Sequence, residues 1–579
     1  MNPKEKMKKR IHLAAGHDPV ELVLKNCRVV NVFNHQIVTT NVAIDSGKII
    51  GLGDYAARRE IDLGGRYLVP GLIDSHVHIE SSQVTPGEMA RVVVPKGTTT
   101  LVADPHEIAN VLGTPGIEFM IEASKNIPLN VFFMIPSCVP ATEFEHSGAS
   151  LKAEDIAPLL ARDKVIGLGE MMDYPGVVSA SDTVVDKMLL AEKHLIDGHS
   201  PGLSGKDLNA YIINGIRTDH ECATVEEMTE KLGLGMYIAL REGSAARDLE
   251  QLLKGVTPEN QRRCTLCTDD KNPHDVIHEG HIDHSVRKAI AMGIPPISAI
   301  QMATINTAEC YHLRDIGAIA PGYDADLVVV EDLMDFRAER VFKKGVLVGE
   351  GGRALFDIDL PDLSQVTDTV KLRDITLKDL EIPLEKDIVR VIRMTPNSLV
   401  TEMVTRKVSV DENHCFRVEH PIDILKLAVI ERHGHHGTIG LGLIENFRLR
   451  GGAIATTIAH DSHNLIVVGD NDHDMLLAID AIKKIKGGIA LAAGGRVQGT
   501  LPLTIGGILS ERSMDEVSQK LLELKAIAHR ELGIPEGIDP FMTLSFMALP
   551  VIPELKLTDQ GLFNVTDFTF VDLEIKEVP

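Results

Sequence analysis

Six residues in this chain have the types and the positions to hold metal ions. His76 and His78 stand two apart at the end of an apolar run. Along an extended strand, residues i and i+2 point the same way, so both imidazoles can grip one ion. Alone, such a pair can equally be two solvent-facing histidines. Glu170, His199, His220 and Asp269 each close a further apolar run, and imidazole and carboxylate are good ligands for Zn, Mn or Fe. The chain has 24 His, so one or two coincidences are cheap. An ordered set of six on the ends of five separate runs, none needed for packing, is not. The chemistry such a site supports is metal-assisted hydrolysis.

The elements that must position these residues can be read from the apolar runs. Between about residues 67 and 312, eight runs alternate with amphipathic stretches: YLVPGLIDSH, TTTLVADPH, LNVFFMIPS, KVIGLGEM, KHLIDGHS, YIINGIRTDH, GMYIALREG and RRCTLCTDD. Continuous Val/Ile/Leu runs alternating with helices indicate a parallel sheet buried on both faces. Eight such units predict an α/β fold, a TIM-like (β/α)8 barrel whose strand ends form the catalytic face. An open doubly wound sheet is the alternative. Residues 1–66 contain short β-like runs bounded by Gly, Asn and Asp, and the same texture returns at 313–350. The two flanks are expected to pair into one small β-sandwich domain around the barrel at 67–312. Residues 365–579 carry less regular alternation, with helix-like DMLLAIDAIKKI and SMDEVSQKLLELKAIAHREL, and read as an additional α+β domain after a linker at 351–364.

Bulk properties exclude several classes of function. With 579 residues, 44% of them hydrophobic and 25% charged, the chain reads as a multidomain globular enzyme. The formal net charge of -24 repels phosphate backbones, and the chain has no Trp and only 4% aromatics. Nucleic acid is therefore not an expected partner. Seven Cys without a disulfide-like spacing indicate a reducing compartment. Cys264 and Cys267 form a CxxC with no second pair, and their apolar setting points to buried structural thiols. MNPKEKMKKR is basic but precedes no apolar h-region, and no long apolar run could span a membrane. A cytoplasmic location with no membrane contact follows as the expectation.

The order HxH, carboxylate, His, His, Asp on runs one, four, five, six and eight resembles the amidohydrolase superfamily. So do PGLIDSHVH at 70–78, ATINTAE at 303–309 and PGYDADLVV at 321–329. Glutamate at position 170, where hydantoinase relatives carry a carboxylated lysine, disfavours the cyclic-amide hydrolases. Over nearly the whole chain the sequence resembles the bacterial and archaeal adenine deaminases, through HVHIESS (76–82), ADPHEIANV (103–111), GLGEMMDYPGV (167–177), DGHSPGLSGKDLNAY (197–211), GIRTDHE (215–221), CTDD (267–270), HGHHGTIGLG (433–442) and AHDSHN (459–464).

This resemblance implies hydrolytic deamination of adenine to hypoxanthine and ammonia by a metal-activated hydroxide. It implies two divalent ions, with Mn or Fe(II) favoured and Zn compatible, a small purine base as partner, and a homo-oligomer. His76, His78 and Asp269 would hold one ion and His199 and His220 the other, with Glu170 bridging. Asp269 would also carry the proton, with Glu170 and His220 completing the catalytic group. Glu80, His106, Glu107, Asp173 and Asp270 lie just beyond run ends, where they can contact the purine ring or serve as loop anchors or solvated groups. Arg241 and Glu242 read as an ion pair or loop anchor. His433, His435, His436, His460 and His463 sit in Gly-rich turns and either are solvated or help close the active site. The competing readings are an N-acyl or amide hydrolase of the same superfamily and a barrel homologue without catalysis. Retention of all six ligand residues argues against the second. A nucleic-acid deaminase would carry H-x-E with P-C-x-x-C, which is absent.

Overall fold

The computed structural model describes residues 2–575 except 397 and 421. Eight parallel strands face one centre. They are Leu72–Val77, Thr98–Ala103, Asn130–Ile135, Val165–Met171, Leu195–Gly198, Thr218–Asp219, Tyr237–Arg241 and Cys264–Cys267. Strands one to five pair in sequence, and strands six to eight form a second ladder. The ladder is not continuous around the ring. Each seam is held by a single parallel bridge, Ile196 to Ile216 on one side and Val77 to Asp269 on the other. The first, second and eighth strands are buried along their whole length, as strands covered on both faces must be. The sixth run shows why apolar runs and strands differ. Its first residues, Tyr211 and Ile212, end the helix Gly205–Ile212, and only Thr218–Asp219 is strand.

The first run also divides. Tyr67–Pro70 leaves the barrel and pairs antiparallel with Leu327–Val330, placing Val69 opposite Val328, and parallel with Val20–Asn31. Strands from both flanks thus join one nine-stranded sheet. One of its apolar clusters gathers Leu24, Val29, Leu68, Leu327 and Phe342. Arg353–Ala354, at the start of the segment expected to be linker, adds a short edge strand to this sheet.

The C-terminal region builds an eight-stranded sheet whose centre includes Ile424–Ile430, Leu465–Gly469 and Gly452–Thr456. The helix Asp472–Ile485 packs on it. Met514–Glu531 begins at a capping box in which Ser513 and Glu516 satisfy each other's backbone N–H groups. The largest apolar cluster runs without interruption from barrel residues such as Leu101 and Ile108 to Leu425, Ile454 and Ile489. Ser510 N–H donates to the Gln83 carbonyl at 2.8 Å, fixing this region over the end of the first barrel strand. No helix among the described residues is long and apolar enough to cross a membrane.

Candidate metal centre and the cavity beside it

The six ligand candidates converge at the C-terminal ends of the strands. His76 Nε2 and His78 Nε2 are 3.2 Å apart, as expected for i and i+2 on one strand face. Asp269 Oδ1 stands 3.1 Å from His78 Nε2 and 3.6 Å from His76 Nε2. Glu170 lies between two groups of imidazoles. Its Oε1 is 3.3 Å from His78 Nε2. Its Oε2 is 2.7 Å from His199 Nδ1 and 3.1 Å from His220 Nε2. All but His199 are buried.

Neighbouring groups orient this set. His78 Nδ1 lies 2.8 Å from the Asp104 carbonyl; donating there leaves the Nε2 lone pair facing the centre. The backbone N–H of Glu170 donates to Asp104 Oδ2 at 2.9 Å. Gly169 makes that approach possible, because a Cβ there would stand 2.2 Å from the same oxygen. Asp269 Oδ2 accepts from Arg241 at 3.0 Å, and Arg241 also pairs with Glu221 and Asp248. Arg241 thus anchors a ligand candidate, and its ion pairs are with Glu221, Asp248 and Asp269 rather than with the adjacent Glu242. Glu242 pairs with Lys288 at 2.7 Å.

Electrostatics favour ionised carboxylates here. Burial pushes the Glu170 carboxyl up, but the imidazoles of His106, His199 and His220 more than reverse this and hold it well below the ordinary range. Burial likewise raises Asp269, and His76, His78 and Arg241 bring it well below. The donor set fits divalent cations on a further observation. Glu170 Oε1, Asp104 Oδ1 and His106 Nδ1 are buried without a hydrogen-bond partner, the state expected of atoms arranged around an ion or water. Close-set ligand groups include His76/His78/Asp269, His76/Glu170/His220 and His199/His220/Glu221.

A cavity opens beside this centre between the barrel face and the C-terminal region. Glu80, Glu107 and Asp270 line it, together with His460, His463 and Phe546. Two of the five candidate contacts are not among these lining residues, and Asp173 takes the loop-anchor role that the sequence also allowed. His106 is not among the lining residues; its Nδ1 lies 3.0 Å from Glu170 Oε1, on the metal side. Asp173 does not line the cavity either. It caps the short helix Tyr174–Val178, accepting from Gly176 N–H at 2.8 Å, because a carboxylate at an N-cap satisfies an otherwise unpaired donor.

Among the C-terminal histidines, His460 and His463 reach Glu107. His433 is buried against the Ser462 carbonyl, 2.9 Å from Nε2. His436 stacks on His146 with centroids 3.9 Å apart, and His435 is exposed. Sequence reasoning missed Asp104 and Glu221. Each sits one or two residues from a residue it did single out, in ADPHE and TDHE, but nothing in the spacing separates an orienting carboxylate from a solvated one. Cys264 and Cys267 are both buried thiols, and burial pushes Cys264 up to about 12.

A barrel of parallel strands with histidines and carboxylates gathered on its C-terminal face defines a metal-dependent hydrolase of the amidohydrolase type. The profile described as "Amidohydrolase family" matches residues 67–348. That described as "Adenine deaminase C-terminal domain" matches residues 398–569. The "Adenine deaminase" of Clostridium acetobutylicum is 50% identical over 98% of this chain and 100% of its own length. That of Nitratidesulfovibrio vulgaris strain DP4 is 50% identical over 98% of both chains. The "Adenine deaminase 2" of Desulfotalea psychrophila is 47% identical over 99% of this chain and 100% of its own. The chain belongs to the adenine deaminase family.

Proposed function

We propose that this protein hydrolyses adenine to hypoxanthine and ammonia, in purine salvage or catabolism. One observation carries the reading. In a chain half identical to adenine deaminases over its full length, Glu170 turns one oxygen to His78 and the other to His199 and His220.

His76, His78 and Asp269 would hold one divalent ion, His199 and His220 a second, and Glu170 would bridge them. The mixed set suits Mn or Fe(II) and is compatible with Zn. Ions held there supply Lewis acidity and lower the pKa of water towards neutrality. The chain's own groups do the rest. Asp269, with Oδ2 tied to Arg241 and Oδ1 facing the imidazoles, is placed to take a proton and pass it to the ring or the leaving amine. Glu80, Glu107 and Asp270 face the cavity in which the purine would lie. Burial pushes the Glu80 carboxyl up to about 7, which favours its protonated form over that of an ordinary carboxyl. In that form it can donate to a ring nitrogen. In this reading the C-terminal wall, with His460, His463 and Phe546, would help to keep water from the reacting ring.

The same reading carries a cytoplasmic setting, supported by seven free cysteines, and a homo-oligomer. Ammonia release from a panel of adenine, adenosine and N-acetyl compounds tests the substrate. Adenine should be hydrolysed and adenosine much more slowly; comparable turnover on adenosine, or amine release from N-acetyl compounds in place of ammonia from adenine, defeats the proposal. Prolonged chelation should abolish activity and Mn or Fe(II) should restore it, with elemental analysis of the same samples as the check.

A further inference from the structure

The metal centre is built by the barrel, but part of the wall of the cavity beside it comes from the C-terminal region. Contact is made at Glu107. His460 Nδ1 lies 2.7 Å from Glu107 Oε1, and His463 Nε2 takes the other oxygen. The three side chains offer ligand atoms close enough together for a cation, yet the tautomer of His463 argues against one. Its Nδ1 accepts from the Ala459 N–H at 3.2 Å, so the ring proton sits on Nε2 and is donated to Glu107. A nitrogen carrying a proton has no lone pair for a metal. Glu107 is therefore a carboxylate clamped between two imidazole donors.

His460 differs from His463 in what remains free. Its Nδ1 is committed to Glu107, and among the described residues its Nε2 makes no hydrogen bond. That nitrogen is not one of the buried unpartnered atoms, and the ring lines the cavity. The imidazole stacks on Phe546, centroids 4.4 Å apart and planes 16° from parallel, so its orientation is fixed from both the face and the edge. Phe546 is itself held, since its carbonyl accepts from the buried Lys556 at 3.1 Å. Burial lowers His460, but Glu107 more than reverses this and brings it up to about 9, which leaves Nε2 a donor at neutral pH.

We infer that His460, supplied by the C-terminal region, contacts the purine directly: its Nε2–H donates to N3 or N7 of the ring, and Glu107 and His463 are positioning residues that hold it there. The inference rests on adenine as substrate.

His460→Asn is the discriminating variant. It keeps an amide donor where Nδ1 stands, so Glu107 stays paired, but has nothing in place of Nε2. It should retain wild-type metal content and Tm, while KM for adenine rises about 10–100-fold, the scale of a lost hydrogen bond from a charged donor. His460→Gln, whose amide reaches the Nε2 position, should recover part of the loss. The increase should vanish for whichever of 3-deazaadenine and 7-deazaadenine lacks the contacted nitrogen. Wild-type KM in His460→Asn, or an equal increase for adenine and both deaza analogues, overturns the inference. If His460→Asn does not fold, inhibition of the wild-type holoenzyme by 3-deaza and 7-deaza analogues of hypoxanthine decides. One should bind at least about tenfold more weakly than hypoxanthine; equal binding of all three overturns the contact. Ammonia release from adenine by the wild type, run alongside, separates the two claims. Its absence sinks the substrate reading, whereas its presence with an unaltered His460→Asn sinks only the role of His460.

Discussion

Asp269 combines demands that few residues meet. Its backbone lies in the left-handed region, φ 55°, where Asp and Asn are tolerated better than most side chains. Its N–H donates to the His76 carbonyl at 3.0 Å, and its carboxylate faces two imidazoles and a guanidinium. Asp269→Asn should therefore fold, since Asn accepts the same φ and keeps one oxygen. If Asp269 carries the proton, turnover should fall roughly 10²–10⁴-fold at full metal occupancy. If ligation dominates, metal content should drop and excess ion should restore part of the activity. Metal analysis and turnover on one sample decide between them, with His220→Asn as the ligand control. Near-normal turnover at full occupancy would remove Asp269 from the mechanism. Asp173 gives the opposite forecast. As an N-cap, its replacement by Ala should cost about 1 kcal/mol of stability and leave KM for adenine unchanged. A raised KM at unchanged Tm would return it to the substrate site.

Among the elements, the C-terminal wall is anchored by buried basic side chains that hold carbonyls. Arg432 is buried and donates to the carbonyls of His463 and, at 2.9 Å, Gly506. Lys556 is fully buried and donates to the carbonyls of Leu399 at 2.9 Å and Phe546 at 3.1 Å. Burial brings Lys556 down to about 7 from an ordinary 10.5. Between those two values the unfolded chain binds a proton that the folded chain does not, so stability from this site rises with pH across that window. Below about 7 both states are protonated and the burial cost is felt in full. Lys556→Met removes the titration. The stability difference between wild type and this variant should shift in favour of wild type from pH 7 to pH 10, by an amount on the order of a few kcal/mol. Chemical denaturation of both proteins at each pH measures it, and a pH-independent difference would show that Lys556 keeps its charge.

The molecule as a whole closes its cavity with two regions far apart in sequence. Glu80, Glu107 and Asp270 belong to the barrel, while His460, His463 and Phe546 come from the C-terminal region, and one apolar cluster joins the two. A chain cut near residue 360 would expose the barrel side of that cluster and lose the cavity wall. It should be insoluble, or soluble and inactive on adenine. A soluble truncation with normal kinetics would show that the C-terminal region is dispensable.

The polar residues that close the apolar runs were legible in the sequence, although the first run divides between two sheets and the sixth is strand only at Thr218–Asp219. Apolar runs must be buried and polar residues close them, which is why His76, His78, Glu170, His199, His220 and Asp269 stand out as ligand candidates in the sequence. The sequence also showed two β-textured flanks, which the structure joins through Tyr67–Pro70, the start of the first expected barrel run, lying between Val20–Asn31 and Leu327–Val330. Tertiary structure decided what depends on direction and distance. Asp173 and Glu107 look alike in sequence, each a carboxylate shortly after a strand, but one meets its own helix terminus and the other meets two histidines more than 350 residues away. His106 looks like a cavity residue until the turn after the second strand carries it against Glu170. The histidines at 433–436 and 460–463 share one composition. Only the packing of the C-terminal sheet on the barrel separates those that reach the site from those that do not, because side-chain chemistry is local whereas the partner each group meets is set by long-range burial.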